Sequence, residues 1–328
     1  MKIRVTGLVL AVLAAIYVAL PAFASTESKD TTADIPTKNQ TSLEDVTPAV
    51  TKSGSPFTLD GTVMYGLEYE VYQNTNYVTV ESFVAAVDRN AVVEEENGTA
   101  VVTSDTVANV VSVPVMVGGV FVIPAGAAGA ANVEEETLNL TAKKGNCYVE
   151  ANGRVLYVEH GVILVENKVA LPIRVLAKIF NMDVSYDAKS QKVSLTRQKE
   201  GGAYLEDGET YYDEEMLHWM SRIIYSESGN QPLRGMIAVG NVVMNRIADP
   251  AFPDNIYDVL FQKNQFSPAM SGSIHRTPSA ASVRAAKMVL DGAEALEDVL
   301  FFNRKGMNTR AARTRTFVAT IGGHSFYA

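Results

Sequence analysis

Cysteine is nearly absent from this chain. Cys147 is the only one, so no disulfide can form within it. Histidine is scarce too. His160, His218, His275 and His324 lie far apart, and none has the spacing of a local metal motif. A zinc centre is therefore not the first expectation, and no cofactor is implied. Surplus positive charge is missing: 28 Lys and Arg against 37 Asp and Glu give a net charge of −9. A phosphate-binding footprint needs clustered excess cations, which argues against nucleic acid as a main partner. Between Val110 and Ala131 the run VVSVPVMVGGVFVIPAGAAGAA is broken by Gly and Pro. It reads as core strands and a loop rather than a membrane span.

The N-terminus is the one place with a long apolar run. Lys2 and Arg4 precede the apolar stretch Val5 to Leu20, and Ala22-Phe23-Ala24 offers small residues at the cleavage positions. This is the pattern of a secretory signal peptide over 1–24, cut after Ala24. The alternative is an uncleaved membrane anchor. Residues 25–55 are rich in Ser, Thr, Lys, Asp and Pro and read as a flexible tether.

With 328 residues the chain has room for two domains with real cores. Over 56–198 two segments share an order of elements. The first has strands around Tyr69–Tyr72 and Tyr77–Val80, a helix at Glu81–Val87, then a hairpin turning at Asn97-Gly98. The second has strands at Gly161–Val165 and Val169–Pro172, a helix at Ile173–Phe180, then a hairpin around Ala188-Lys189-Ser190. Each half reads as hairpin, helix, hairpin, and the repetition predicts a pseudo-symmetric module. Gly201-Gly202 and the acidic Glu206–Glu209 make 199–210 a linker.

The stretch from Tyr212 to Asn230 organises the C-terminal domain, 211–328. Asp213 suits an N-cap, and Glu214 and Glu215 favour the positive end of the helix dipole. Met216, Met220, Ile223 and Ile224 repeat at helical spacing, and Gly229, Asn230 and Pro232 stop the helix. Glu227 continues the apolar face, where an acid is costly. Partial burial and the negative end of the dipole both favour its neutral form. A raised pKa is what a general acid working near neutral pH needs; the plain alternative is a solvated helix-end glutamate. Beyond it, helices are expected from Pro232 to Arg246, from Asn255 to Gln262 and from Thr277-Pro278 to just before Gly292. Strands are expected at Val299–Phe302 and Thr316–Ile321, the second turned back by Gly322-Gly323 into His324–Tyr327. Helices first and a small sheet last make an α+β protein.

Two resemblances follow from particular motifs. Glu166-Asn167-Lys168, Ala170 to Arg174 and Val184 to Lys189 resemble the copper amine oxidase N-terminal-like domain. The resemblance implies a stalk or binding module. It imports no copper chemistry, because the segment has no histidine cluster, and carbohydrate binding there is a hypothesis. Ile224 to Ser228, Gly240 to Arg246, Phe252-Pro253, Asn264 to Ser267, Phe301 to Asn303 and Ile321 to Tyr327 resemble the SleB-type cell wall hydrolases, the spore cortex-lytic enzyme family. That resemblance implies a lysozyme-like, mainly helical domain with a small sheet. It also implies cleavage of peptidoglycan between MurNAc and GlcNAc, with the family's catalytic glutamate falling on Glu227. Here Ser226 and Ser228 flank that glutamate where the family commonly has alanine. The family's usual peptidoglycan-binding repeat is replaced by a different module, so general wall remodelling stands beside spore germination as a role.

No second acid lies in a motif of this domain; Asp249, Asp254 and Asp258 read as caps or solvated groups. One acid suffices for a lytic transglycosylase, where the sugar's own C6 hydroxyl is the nucleophile. Hydrolysis by water is the competing outcome. Gln265 and Ser267 can hydrogen-bond sugar groups, and Tyr225 or Phe266 can offer a ring face, with Phe266 equally readable as plain core. Asn303 can orient substrate or simply end a strand. His324 either flanks a hairpin or, as the resemblance implies, lies near the cleft. Arg304, Lys305, Arg310, Arg313 and Arg315 form a basic stretch, either a solvated loop or a surface for anionic wall polymers. The competing functions are a zinc-dependent N-acetylmuramoyl-L-alanine amidase and a non-catalytic wall-binding protein.

Overall fold

The structure, a computed structural model, describes residues 56–107, 115–117, 120–122, 135–198 and 202–328. The expected signal peptide and tether, and most of the stretch from Val110 to Ala131, lie outside the described residues. Residues 49–328 group as one compact unit.

The N-terminal part begins with β1 (Phe57–Leu59), β2 (Thr62–Val63), β3 (Tyr69–Tyr72) and β4 (Thr75–Thr79). Helix α1 (Val80–Val87) is capped by Thr79, whose hydroxyl accepts from Ser82 N. Strands β5 (Val92–Glu96) and β6 (Thr99–Val107) turn at Asn97-Gly98 with φ of 52° and 71°. Asn and Gly tolerate this left-handed pair, which matches the twist of a two-residue hairpin. A small hairpin of β7 (Val115–Val117) and β8 (Val120–Val122) precedes β9 (Glu135–Lys143), β10 (Tyr148–Ala151) and β11 (Arg154–Tyr157). Then come β12 (Ile163–Val165), β13 (Lys168–Pro172), α2 (Ile173–Ile179), β14 (Met182–Asp187) and β15 (Lys192–Arg197).

These strands form sheets ordered β12-β13-β4-β3, β11-β10-β9-β6-β5 and β14-β15-β1-β2. The hairpins β3–β4 and β12–β13 share a sheet, whereas β5–β6 and β14–β15 go to different ones. Strand β1 runs parallel to β15, with Phe57 opposite Val193 and Leu59 opposite Leu195. Arg197 reinforces that pairing by a 2.6 Å ion pair to Asp60. Phe57, Tyr77, Phe83, Leu140, Leu171 and Leu195 fill the core. The segment expected to be a free linker is partly built into it. Tyr204 and Leu205 are buried there, and the Tyr204 hydroxyl is held by Asp88 and Ser104. Two apolar side chains in an acidic stretch are enough to anchor it.

The C-terminal part is helical, then sheet. It contains α3 (Gly208–Tyr211), α4 (Glu214–Ser228), α5 (Leu233–Ala248), α6 (Ile256–Phe261), α7 (Ser267–Ser271), a 3-10 turn at Ser273–His275 and α8 (Ala280–Leu290). Strand β16 (Phe301–Arg304), α9 (Arg310–Thr314), β17 (Phe317–Ile321) and β18 (His324–Tyr327) complete it, with sheet order β16-β18-β17. Asp213 caps α4 by accepting from Met216 N at 2.8 Å. The cap of α8 is Ser279 rather than Thr277-Pro278, because its hydroxyl accepts from Ser282 N. Gly240 lets α5 meet α8, since a Cβ there would sit 2.6 Å from a Val289 methyl. Met220, Ile223, Ile224, Val239, Val243, Met288 and Phe326 make the second core, and Val155 of β11 joins it.

The two parts meet at a buried charge cluster. Asp291, just past α8, accepts from Arg154 Nε at 3.0 Å and lies 3.3 Å from Lys178 Nζ. The Tyr212 hydroxyl donates to its other oxygen and in turn accepts from Val155 N at 3.2 Å. Burial first, then Asp291, pushes the Tyr212 phenol pKa up. The Arg154 guanidinium lies over the Tyr211 ring at 3.3 Å.

Candidate functional site

Glu227 is the penultimate residue of α4 and is half-buried. The arc of Met220, Ile223 and Ile224 that drives α4 into the core carries it inward. Among the described residues its carboxylate has no hydrogen-bond or ion-pair partner. Desolvation alone therefore acts on it and raises its pKa to about 7. At neutral pH such a group is divided between acid and carboxylate, so it can both give and take a proton.

Two elements close in on that end of α4. The Ser226 hydroxyl donates to Ser273 O at 3.4 Å, tying down the 3-10 turn. Ser228 turns its hydroxyl back onto Ile224 O at 2.8 Å, so it is satisfied within the helix. Gly323 N donates to the Gln231 side chain at 2.7 Å and draws the β17–β18 turn against the residues just past Glu227. Gly322 has φ of +55°, and a Cβ there would lie 2.4 Å from Gln231 Oε1. The left-handed backbone favours glycine at that position, and any side chain there would also displace the Gln231 amide.

His324 starts β18 directly after this turn. It is half-buried, its Nδ1 has no partner among the described residues, and burial lowers its pKa. A neutral imidazole keeps one donor and one acceptor nitrogen. Its ring lies edge-on to Phe302 at 5.3 Å. Asn303 donates from Nδ2 to Thr309 at 2.5 Å, while its buried Oδ1 has no partner among the described residues. Asn303 is paired with Ser325 and His324 with Arg304, so the two lie on opposite faces of the small sheet.

Phe266 requires correction. It is 1% exposed, packed near Phe302 at 6.3 Å and under the Arg246 guanidinium at 4.9 Å, so it offers no face to a sugar. Gln265 and Ser267 on either side are exposed. Tyr225 is half-buried, its ring against Gly229. About 200° of helix turn separates it from Glu227, so the two do not point the same way.

Arg246 was not singled out in the sequence as a functional group, although it is the most confined cation of this part. It is 4% exposed, its Nε donates to Leu300 O at 2.8 Å, and Phe252, Phe266 and Phe301 surround the guanidinium. Its Nη1 has no partner among the described residues. The available signal was an arginine in the last turn of a helix rich in buried apolar residues. Asp249 and Asp258 act in local turns: Asp249 accepts from Ala251 N and Asp258 from the Asn255 side chain. Among the described residues no group of three or more His, Cys, Asp or Glu is placed to hold a metal ion. A cavity of about 910 Å³ opens elsewhere, beside α2, β14 and residues 202–211, and none of the candidate residues lines it.

Comparison with known proteins bears on this end of the chain. Residues 230–327 match the family described as Cell Wall Hydrolase, and residues 118–195 match the Copper amine oxidase N-terminal domain. The first match begins three residues after Glu227. A spore cortex-lytic enzyme of Bacillus cereus is 28% identical over 116 residues, 35% of this chain and 45% of the relative. One from Halalkalibacterium halodurans is 29% identical over 116 residues, 35% of each chain. The chain thus spans less than half the length of these curated relatives. The solved catalytic domain of the germination-specific lytic transglycosylase SleB from Bacillus anthracis is 25% identical. It covers 38% of this chain and 100% of its own, with a TM-score of 0.34. Residues 230–327 are thus similar to the cell wall hydrolases, and residues 118–195 to copper amine oxidase N-terminal domains.

Proposed function

We propose that this chain is a secreted, wall-associated enzyme that cuts the peptidoglycan glycan between MurNAc and GlcNAc as a lytic transglycosylase. The observation that carries the reading is Glu227: a half-buried carboxyl without a partner among the described residues, its pKa raised to about 7 by burial, at the end of a rigid helix. The match to cell wall hydrolases over 230–327 and the sequence likeness to spore cortex-lytic enzymes support it. The domain is then lysozyme-like, and the signal peptide at 1–24 accounts for export. The proposed division is 56–198, a linker at 199–210 whose Tyr204 and Leu205 dock on the first core, and 211–328, with the first part a stalk or binding module of two hairpin–helix–hairpin units.

Protonated Glu227 donates its proton to the glycosidic oxygen as the bond to C1 breaks. The resulting carboxylate stabilises positive charge at C1, then takes the proton from the C6 hydroxyl as that oxygen attacks C1 of its own ring. The products are a 1,6-anhydro sugar and a free GlcNAc hydroxyl, and no water is consumed. The internal nucleophile supplies by proximity what a second carboxylate supplies in other glycosidases. The local hydrogen bonding of Asp249 and Asp258 fits a single-acid mechanism. His324 and Asn303 each keep an unused buried polar atom, but on opposite faces of the small sheet, so they would meet different parts of a substrate; Gln265, Ser267 and Tyr225 are more peripheral. The exposed cations Arg304, Lys305, Arg310, Arg313 and Arg315 attract anionic wall polymers.

Digestion of purified peptidoglycan, followed by mass spectrometry of the soluble products, tests this. Muropeptides lighter than lysozyme products by one water are expected. Reducing MurNAc ends would replace the transglycosylase by a hydrolase. Free stem peptides would replace glycan cleavage by amidase activity and remove the role given to Glu227.

A further inference from the structure

Trp219 is the only tryptophan in the chain, and it sits on α4. Four rings converge on it edge to face: His218 at 4.8 Å, Phe261 at 5.3 Å, Tyr257 at 5.6 Å and His275 at 5.9 Å between centroids. Tyr257 and Phe261 also stack on each other at 4.4 Å. The cluster joins α4, α6 and the 3-10 turn; Trp219 and Phe261 back onto the second core, and the rest lies outside it. Tyr257 is 45% exposed, His218 and His275 are exposed, and Trp219 and Phe261 are half-buried. Aromatic surface gathered at the exterior forgoes the burial that a core position would provide, and such patches mark places where something binds.

Its position relative to Glu227 is defined by the helix they share. Eight residues separate Trp219 from Glu227, which is about 12 Å along the axis and about 80° around it. The 3-10 turn runs beside this stretch. It is tied to α4 at Ser226 by Ser273 O and meets Trp219 through His275. Acid and aromatic cluster therefore lie along one side of the same rigid element, spaced on the order of a glycan's disaccharide repeat.

We propose that Trp219, Tyr257, His218 and His275, with Phe261 behind them, form a distal subsite that holds an amino sugar of the same glycan strand whose bond Glu227 cleaves. The inference rests on the glycan-cleaving reading of Glu227. The apolar C–H face of a pyranose packs on an exposed ring face, and the Tyr257 hydroxyl and imidazole nitrogens hydrogen-bond its hydroxyl and N-acetyl groups. Burial, then nearby Arg222, lowers the His218 pKa, which keeps that ring neutral at pH 7. A neutral imidazole both donates and accepts, which suits an uncharged sugar. The subsite sets a preference for long strands over short fragments.

Because Trp219 is the sole tryptophan, its emission reports on the cluster alone. The full chain carrying Glu227→Gln, which binds without cutting, is titrated with a soluble MurNAc–GlcNAc octasaccharide. Trp219 emission should shift saturably. Tyr257→Ala in that background should weaken binding about tenfold, while Tyr257→Phe, which keeps the ring, should stay within a few-fold. In otherwise unchanged enzyme, Tyr257→Ala should raise KM for long strands far more than it lowers kcat. Calorimetric binding of the octasaccharide with no change in Trp219 emission would overturn the subsite. So would an unchanged Kd in Tyr257→Ala, and in both cases wild-type cleavage would persist. If the glycan reading itself fails, wild-type protein releases no sugar products and the octasaccharide does not bind at all.

Discussion

Asp291 and Glu227 are carboxylates near opposite ends of α4, and they meet burial in opposite ways. The Asp291 side chain is 1% exposed and is surrounded by Arg154, Lys178 and the Tyr212 hydroxyl. Glu227 is half-buried and faces no cation or donor among the described residues. A buried charge that is fully partnered specifies how two pieces of chain fit together. A buried carboxyl left without partners costs stability whenever it ionises, and a fold keeps such a group where its proton has a use. One end of the helix joins the two parts of the protein, and the other holds a desolvated carboxyl without a partner among the described residues.

The comparison can be broken most sharply at Glu227. Glu227→Gln should reduce glycan cleavage by about 10²–10⁴-fold, the usual worth of a general acid, with circular dichroism unchanged. A variant that retained activity would take Glu227 out of the chemistry. At the other end, Asp291→Ala leaves Arg154 buried without its partner. It should destabilise the protein by about 3–5 kcal/mol in urea unfolding. A loss below about 1 kcal/mol would mean that the cluster is no more than an ordinary surface pair.

A third measurement compares wild type with Glu227→Gln as pH changes. The folded-state pKa of Glu227 lies above its ordinary value of 4.5, at about 7. Its contribution to stability is therefore fully present below pH 4.5 and is lost as pH rises through 7. Across that window wild type should lose about 3 kcal/mol relative to Glu227→Gln and hold that difference above it. Parallel melting curves at every pH would contradict the raised pKa. The same titration should make activity fall above pH 7, as the general acid loses its proton. The smallest effect concerns the frame: Asp213→Ala removes the α4 cap and should cost about 1 kcal/mol, with little change in the pH dependence.

What could be read from the sequence was mostly local. The N-cap at Asp213, the apolar arc of α4 and the position of Glu227 on it depend on spacing within one helix, and helical periodicity exposes them. The turn at Asn97-Gly98 is likewise set by the two residues that make it. Contacts between distant residues were hidden. Arg154 and Asp291 are 137 positions apart, and neither has a neighbour in sequence that predicts the other. Phe266 sits among polar residues, so its inward direction depends on Arg246 and Phe302. Tyr204 and Leu205 lie in a stretch whose glycines and acids suggest a free linker, but their burial is decided by the core they fill. The aromatic cluster was missed because Trp219, Tyr257 and His275 come from three separate elements.

The parallel pairing of β1 with β15 has a mechanical consequence. The chain enters that sheet at Phe57 and leaves the paired segment after Arg197, on the way to the domain carrying Glu227. Suppose that domain grips a wall polymer while tension arrives from residues before Phe57. The two strands are then pulled along their length in opposite directions, so their hydrogen bonds are loaded together rather than opened one after another. Val193 N to Pro56 O, Asp60 N to Leu195 O and the Arg197–Asp60 pair share that load. The inner pair of that sheet is thus arranged as a clamp in shear.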